Sequence, residues 1–294
     1  MLKEHRYKVA QYTFTVALPL ECDPQHLLPS FTPFVADDDN DDTPLFRFTA
    51  EAGTQFQVQG TPFEESRNDL GHMRLYRHDK GYTIALRYTH SGPQHLLHAP
   101  ATFASAHAHL HTADPYLSQV LDSMLRMVFS LAILPHGGIS IHASAVTLDG
   151  RAYLFLGKSG TGKSTHASLW QRHFKGCELL NDDNPVIRVC GNDTYVYGTP
   201  WSGKTPCYRN LCYPLGGIAR LQQAPSNSFV RNDEADAFAT LLPGCSAIRS
   251  DHTMSNALYD TLAHIAATVP VGHLRCLPDT EAANLCSQSL IQTT

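Results

Sequence analysis

The sequence predicts an α/β protein: a phosphate-loop core with a mixed or mostly β central sheet flanked by helices, preceded by a β-rich N-terminal region. Three observations predict it. Strand-like and helix-like segments alternate after Pro135. A glycine loop of the form GxxxxGKS lies between an apolar strand and a helix-capable segment. Before these, residues 1 to 112 carry aromatic and β-branched runs separated by turn formers.

In the N-terminal region YKVAQYTFTVAL, PLFRFTA, TQFQVQG, HMRLYRH and YTIALRYTH read as strands bounded by Gly, Asp, Asn and Pro. Between them lies a run with five Asp from Asp37 to Asp42, which like-charge repulsion keeps as a solvated loop. It lacks the Gly and distal Glu of a calcium loop. The HAHLH run places His107, His109 and His111 on one strand face, without a carboxylate or Cys at ligand spacing. Residues 113 to 135 predict a connecting helix, with Asp114 as its cap, Pro115 in its first turn, and Pro135, Gly137 and Gly138 as its stop. Met124 and Met127 within it read as core filler.

The remaining stretch, residues 136 to 294, forms the predicted catalytic domain. ISIHASAVTL, RAYLFLG, CELLN, PVIRVC, TYVYG, IARLQQ and VGHLRCL read as strands. THASLWQRHF, SDHTMSNALYDTLAHIAATV and EAANLCSQSLI read as helices.

GKSGTGKST carries the chemistry. Gly157, Gly160 and Gly162 let the backbone turn tightly, so that amides of Ser159, Thr161 and their neighbours converge on a phosphate chain at the positive end of the following helix. Lys163 adds a charge at the outer phosphates, and Ser164, followed by Thr165, offers a hydroxyl to Mg²⁺. Nucleoside triphosphate, taken as ATP, and Mg²⁺ are the expected ligands. GTPWSGKT, from Gly198 to Thr205, also fits the pattern. Pro200 and Pro206 and the lack of a following helix rule against a second cradle there. Its Lys204, with Arg209, supplies cations that can meet phosphate oxygens or an acidic substrate. Asp182 and Asp183 end an apolar strand beyond the glycine loop; adjacent strand residues point to opposite faces, so one suits the metal and the other the proton of an attacking hydroxyl. His142 lies on the apolar segment ahead of the hairpin and reads either as a core histidine or as a site residue.

Composition sets the outer limits. The 294 residues are 43% hydrophobic and 17% charged, which excludes a disordered chain. A net charge of −5 removes the basic footprint of a nucleic-acid binder. No apolar run reaches the length of a membrane span, and the opening residues lack a secretory apolar core, so a cytoplasmic protein is expected. The eight cysteines form no CxxC pair and are expected as free thiols.

ISIHASAVTLDGRAYLFLGKSGTGKSTHA together with LLNDDNPVI resembles the catalytic core of the HPr kinase/phosphorylase family. The shared pieces are a His ahead of the hairpin, a GxSGxGKS loop and an aspartate pair at the next strand end. The resemblance covers residues 139 to 190 and, loosely, the tail to 290; it does not cover the N-terminal half. The glycine loop is similar to that of phosphoenolpyruvate carboxykinases as well. The resemblance implies an ATP-dependent kinase of a Ser hydroxyl on a protein or peptide, with one of Asp182 and Asp183 as base, His142 lining the site, and a homo-oligomer. The family's second signature, Glu-x-Arg-Gly-x-Gly, is missing, so the resemblance extends neither to the phosphorylase reaction nor to HPr as substrate. A small-metabolite kinase and a nucleotide-binding scaffold with little turnover are the alternatives.

Overall fold

The computed structural model describes residues 1–36, 42–53, 58, 60–68, 71–203 and 205–291. The chain divides into two compact units, Met1–Ala132 and Ile133–Thr294. Asp42 pairs with Lys8 at 3.1 Å, whereas the rest of the acidic run lies outside the described residues.

The first unit is built on an eight-stranded sheet. Its strands are β1 (Leu2–Val9), β2 (Tyr12–Pro19), β3 (Arg47–Ala52), β4 (Glu64–Asn68), β5 (Gly71–His78), β6 (Gly81–Arg87), β7 (His95–Pro100) and β8 (Ser105–Leu110). They run in the order β1-β2-β3-β8-β7-β6-β5-β4, parallel only at β2–β3 and β3–β8. YKVAQYTFTVAL is therefore not one strand but the β1–β2 hairpin, turning at Ala10 and Gln11 with φ of 50° and 63°. Left-handed turns normally advertise themselves with Gly or Asn, and this one does not.

A short helix, α1 (Pro24–Leu27), precedes the long α2 (Leu117–Ala132). The latter begins at Leu117, two residues after Pro115, with Asp114 at its entry. Its Oδ1 accepts the Tyr116 amide at 2.9 Å and its Oδ2 meets His95 Nε2 at 2.8 Å, both side chains being buried. Phe129 anchors the helix against the stacked rings of Phe14 and Phe46, and Met124 and Met127 are buried in the core. His107 faces His98 in the β7–β8 register. Among the described residues no group of three or more His, Cys, Asp or Glu is arranged to hold a metal ion.

The second unit carries β9 (Gly138–Ser140), β10 (Ala143–Leu148), β11 (Arg151–Leu156), β12 (Glu178–Asp183), β13 (Val186–Cys190), β14 (Asp193–Tyr197), β15 (Cys212–Gln223), β16 (Ser228–Arg231) and β17 (Val271–Cys276). Its helices are α3 (Lys163–His173), α4 (Glu234–Leu241), α5 (His252–Thr268) and α6 (Thr280–Ile291). The sheet path is β12-β10-β11-β15-β14-β13-β9, with β17 beside β15 and β16 on β17. With helices against mixed sheets, this is the α/β architecture the alternation of segments predicts.

Three local readings change. ISIHASAVTL splits into β9 and β10, because its first half pairs with β13 and its second with β11 and β12. The strand read at IARLQQ begins earlier, at CYPLGG, giving the long β15, which pairs antiparallel with β14 and then parallel with β11 and β17. α4 was not anticipated, although Asp233 caps it by accepting the Asp236 amide; at eight residues it is too short for a clear apolar period.

Trp170 is fully buried beneath the sheet, with ring centroids 5.2 Å from those of Tyr153, Phe155 and Phe174. Trp170→Ala should destabilise this unit by about 3–5 kcal/mol, read as a lower urea midpoint with an unchanged slope. All eight cysteines are free, and no described helix is long and apolar enough to cross a membrane.

Candidate active site

The glycine loop runs from the end of β11 to the start of α3, the strand-to-helix placement its spacing demands. Gly157, Gly160 and Gly162 have φ of 156°, 79° and 106°, conformations that side chains with a Cβ rarely adopt. Lys163 begins the helix and is 9% exposed. Its ammonium donates to the carbonyls of Gly157 (3.1 Å) and Lys158 (3.5 Å) and to His142 Nε2 (2.8 Å). Burial pulls its pKa below the usual lysine value, against the opposing pull of Asp183 and Asp182.

His142 sits at the break between β9 and β10, where its amide donates to Gly244 O at 2.8 Å. Because Nε2 accepts from Lys163, the proton belongs on Nδ1, which lies 2.9 Å from Asp183 Oδ1. Lysine, histidine and aspartate thus form one hydrogen-bonded chain beside the glycine loop, and the His142 side chain is partly exposed rather than packed in the core.

Asp182 points the other way along β12. Its Oδ1 accepts from Ser164 Oγ at 2.8 Å and from Ser144 Oγ at 2.5 Å. Its Oδ2 is buried with no hydrogen-bond partner. A buried carboxylate oxygen left with only lone pairs, beside the loop hydroxyl, suits a cation that keeps most of its other ligands as water and phosphate. The residues present therefore fit Mg²⁺, with Ser164 and Asp182 as its protein contacts.

Ser144 was not identified from the sequence; it is one small residue in an apolar strand. Only the β10–β12 register, which sets Ser144 opposite Asp182, brings it to the site. Asn181 was missed as well. Buried, its amide nitrogen donates to Thr199 Oγ1 (3.1 Å) and Trp201 O (3.0 Å), while its Oδ1 accepts the amides of Asp183 (3.2 Å) and Asn184 (2.8 Å). This network fixes the strand end that presents both aspartates.

The second glycine match lies against that strand end. Gly203 N donates to Asp182 O at 2.6 Å, and Ser202 bridges Asp183. A Cβ at Gly203 would fall 2.7 Å from Asp182 O, and one at Gly198 would fall 2.1 Å from Arg209 O. These glycines permit close backbone packing, not anion binding. Gly203→Ala should therefore displace the β12 strand end and destabilise the second unit, seen as a lower melting temperature; an unchanged one would mean the loop backs away at no cost.

Arg209 is not brought to the cluster. Its guanidinium meets Glu178 Oε2 at 2.5 Å, at the far end of β12 from the aspartate pair. Four strand steps separate Glu178 from Asp182, about 13 Å. The structure thus sets Arg209 against an exposed carboxylate and not beside the aspartate pair it was expected to assist. Lys204 lies outside the described residues.

A cavity of about 560 Å³ borders the loop and the first turns of α3, with Thr165, Leu169, Leu221, Ala224, Leu277 and Pro278 among its walls. His166 also reaches it, buried edge-on to Phe155 and accepting from Trp170 Nε1 at 3.1 Å. Burial pushes its pKa down to about 4. The unfolded chain takes up that proton near pH 6.5 and the folded one near 4, so stability is retained above 6.5 and lost as pH falls through that window, by about 3 kcal/mol. Thermal melts of His166→Gln between pH 7 and 4.5 should fall less steeply than those of the wild type; equal slopes would assign the acid loss to other groups.

No family model matches the chain, and no curated protein matches it. Among solved structures it is similar to the Hpr(Ser) kinase/phosphatase from Coxiella burnetii, with 13% identity over 52% of this chain and 97% of that chain and a TM-score of 0.32.

Proposed function

We propose that this chain is an ATP-dependent, Mg²⁺-requiring phosphotransferase that moves the γ-phosphate to a hydroxyl, that of a Ser on a protein or peptide. The observation that carries this reading is the division of the aspartate pair: Asp182 turns to the loop serine and Asp183 to His142, which in turn holds Lys163. One carboxylate is placed for a cation and its neighbour for a proton, both against a loop built to hold phosphates.

Amides of the loop and the start of α3 receive the phosphate chain, and Lys163 exchanges its carbonyl partners for phosphate oxygens. The cavity walled by Leu169, Leu221, Leu277 and Pro278 offers the nucleoside base an apolar slot beside the loop. Bound at Ser164 and Asp182, Mg²⁺ would neutralise charge on the transferring group. Asp183 accepts the proton of the acceptor hydroxyl while His142 Nδ1–H holds its carboxylate in place. The acceptor oxygen bonds to the γ-phosphorus, the bond to the β–γ bridging oxygen breaks, and ADP leaves with that electron pair. Positioning and charge neutralisation account for most of the rate in such transfers.

The test is incubation of the purified protein with γ-labelled ATP and whole-cell lysate. Label should enter a protein band at a Ser and be absent with Asp183→Asn. Label confined to the small-molecule fraction would replace the protein acceptor by a metabolite. Absence of label in any acceptor, despite bound nucleotide, would leave a scaffold.

A further inference from the structure

A second recess, of about 580 Å³, adjoins the first cavity, with which it shares Gly160, Thr161, Leu221 and Gln223. The loop from Gly157 to Thr161, the β15 residues Arg220, Gln222 and Gln223, and His273 from β17 wall it. No Asp or Glu is among its lining residues. Arg220 and His273 are direct neighbours in the parallel β15–β17 register, and Arg220 also pairs with Leu156, the last residue before the loop.

Arg220 is the anomaly. It is partly buried, and its one polar contact among the described residues is Nη1 to Thr240 O at 3.0 Å. No carboxylate pairs with it there. Half-buried guanidinium without an anion is unfavourable; beside it, burial and then the Arg220 charge hold the His273 pKa down against the opposing pull of Asp236. The rest of the recess adds a lysine and two primary amides. The hydroxyl of Thr240, the residue whose carbonyl meets Arg220, is itself held by His273 Nε2 and Asn232 Nδ2, at 2.8 and 2.7 Å. Gln223 Nε2 reaches Gly160 O at 3.4 Å and Thr161 O at 3.5 Å, tying the recess to the loop tip.

With Nη1 occupied, the Nε–Nη2 edge of Arg220 is left for a planar or tetrahedral oxyanion, which a guanidinium binds through two parallel hydrogen bonds. The recess and the proposed catalytic cluster share the glycine loop: Lys158, which lines the recess, offers its carbonyl to Lys163 at 3.5 Å. Taking the phosphotransferase reading as given, we propose that this recess is an anion subsite for the second substrate. It takes a carboxylate or phosphate group carried by the acceptor, through Arg220 with Lys158 and the Gln222 and Gln223 amides. The acceptor is then an anionic molecule, such as a peptide whose accepting hydroxyl is flanked by acidic or phosphorylated residues.

The test is calorimetric titration of inorganic phosphate and, separately, malonate into protein saturated with Mg·ADP. At least one of the two should bind, and whichever binds more tightly tells phosphate from carboxylate as the recognised group. Arg220→Gln should weaken that binding at least about tenfold and Arg220→Lys less, with Mg·ADP affinity within about twofold of wild type. The same anion should bind nucleotide-free Lys163→Ala protein, whose phosphate loop is crippled, and not the Lys163→Ala/Arg220→Gln double variant. That arm decides the subsite even if nucleotide fails to bind, so loss of the phosphotransferase reading and loss of the subsite are told apart. In labelled transfer to lysate proteins, the bound anion should inhibit in a way relieved by more acceptor. No anion binding, binding indifferent to Arg220→Gln, a parallel loss of Mg·ADP affinity, or inhibition relieved only by ATP would each overturn the proposal.

Discussion

Replacing Asp183 by Asn should lower phosphoryl transfer by about 10²–10⁴-fold, the usual contribution of a positioned general base. The substitution keeps the size of the side chain and an oxygen that can accept from His142 Nδ1, 2.9 Å away in the native protein, so only the basicity is lost. Mg·ATP affinity should stay within about twofold, which separates a step confined to the transition state from a binding defect. Asp182→Asn should behave differently: it removes charge from the oxygen pair facing Ser164, so Mg·ATP binding itself weakens and more Mg²⁺ restores part of it. Single-turnover rates and nucleotide affinities measured side by side on both variants check the division. Identical behaviour of the two would dissolve it, and full transfer by Asp183→Asn would remove the base.

Lys163→Met should weaken Mg·ATP binding by about 10- to 150-fold, since each charged hydrogen bond to a buried partner is worth about 1.5–3 kcal/mol. Transfer should fall further than binding, because the charge on the migrating group peaks during the reaction. The native ammonium is nearly buried and satisfied by two carbonyls and His142, so the loop is already arranged around a cation before any phosphate arrives. Fluorescent ADP analogues report the affinity, and a quench-flow assay reports transfer. Unchanged affinity would mean that the glycine loop is not the phosphate site.

Parts of this site are legible in the sequence because they are local. The spacing of Gly157, Gly162 and Lys163 encodes a turn and the helix behind it within nine residues, and Asp182 and Asp183 follow at the end of the next strand. Strand alternation alone is enough to expect that the two aspartates do different work. It does not say which does what. That depends on Ser144 lying opposite Asp182 and on His142 falling in the gap between β9 and β10, facts of pairing between segments some forty residues apart. The same limit bears on the second glycine segment. Arg209 looks available beside Lys204 along the chain, yet the fold delivers Glu178 to it; the glycines of GTPWSGKT, whose prolines already set it apart from a phosphate cradle, serve a close approach to Asp182 and to Arg209.

Arg220 illustrates the point most sharply. In IARLQQ it reads as one polar residue in a strand, and nothing nearby marks it. Parallel pairing with β11 on one side and β17 on the other sets it beside the loop and against His273, with no anion to meet it among the described residues. By itself the sequence determined the class of fold, the strand-to-helix placement of the glycine loop and the position of the aspartate pair at a strand end, because backbone conformation and hydrophobic period act over a few residues. Tertiary structure alone decided which carboxylate meets the serine, which meets the histidine, and which arginine is left facing the recess, because those outcomes follow from strand register and from competition among charges that only folding brings together.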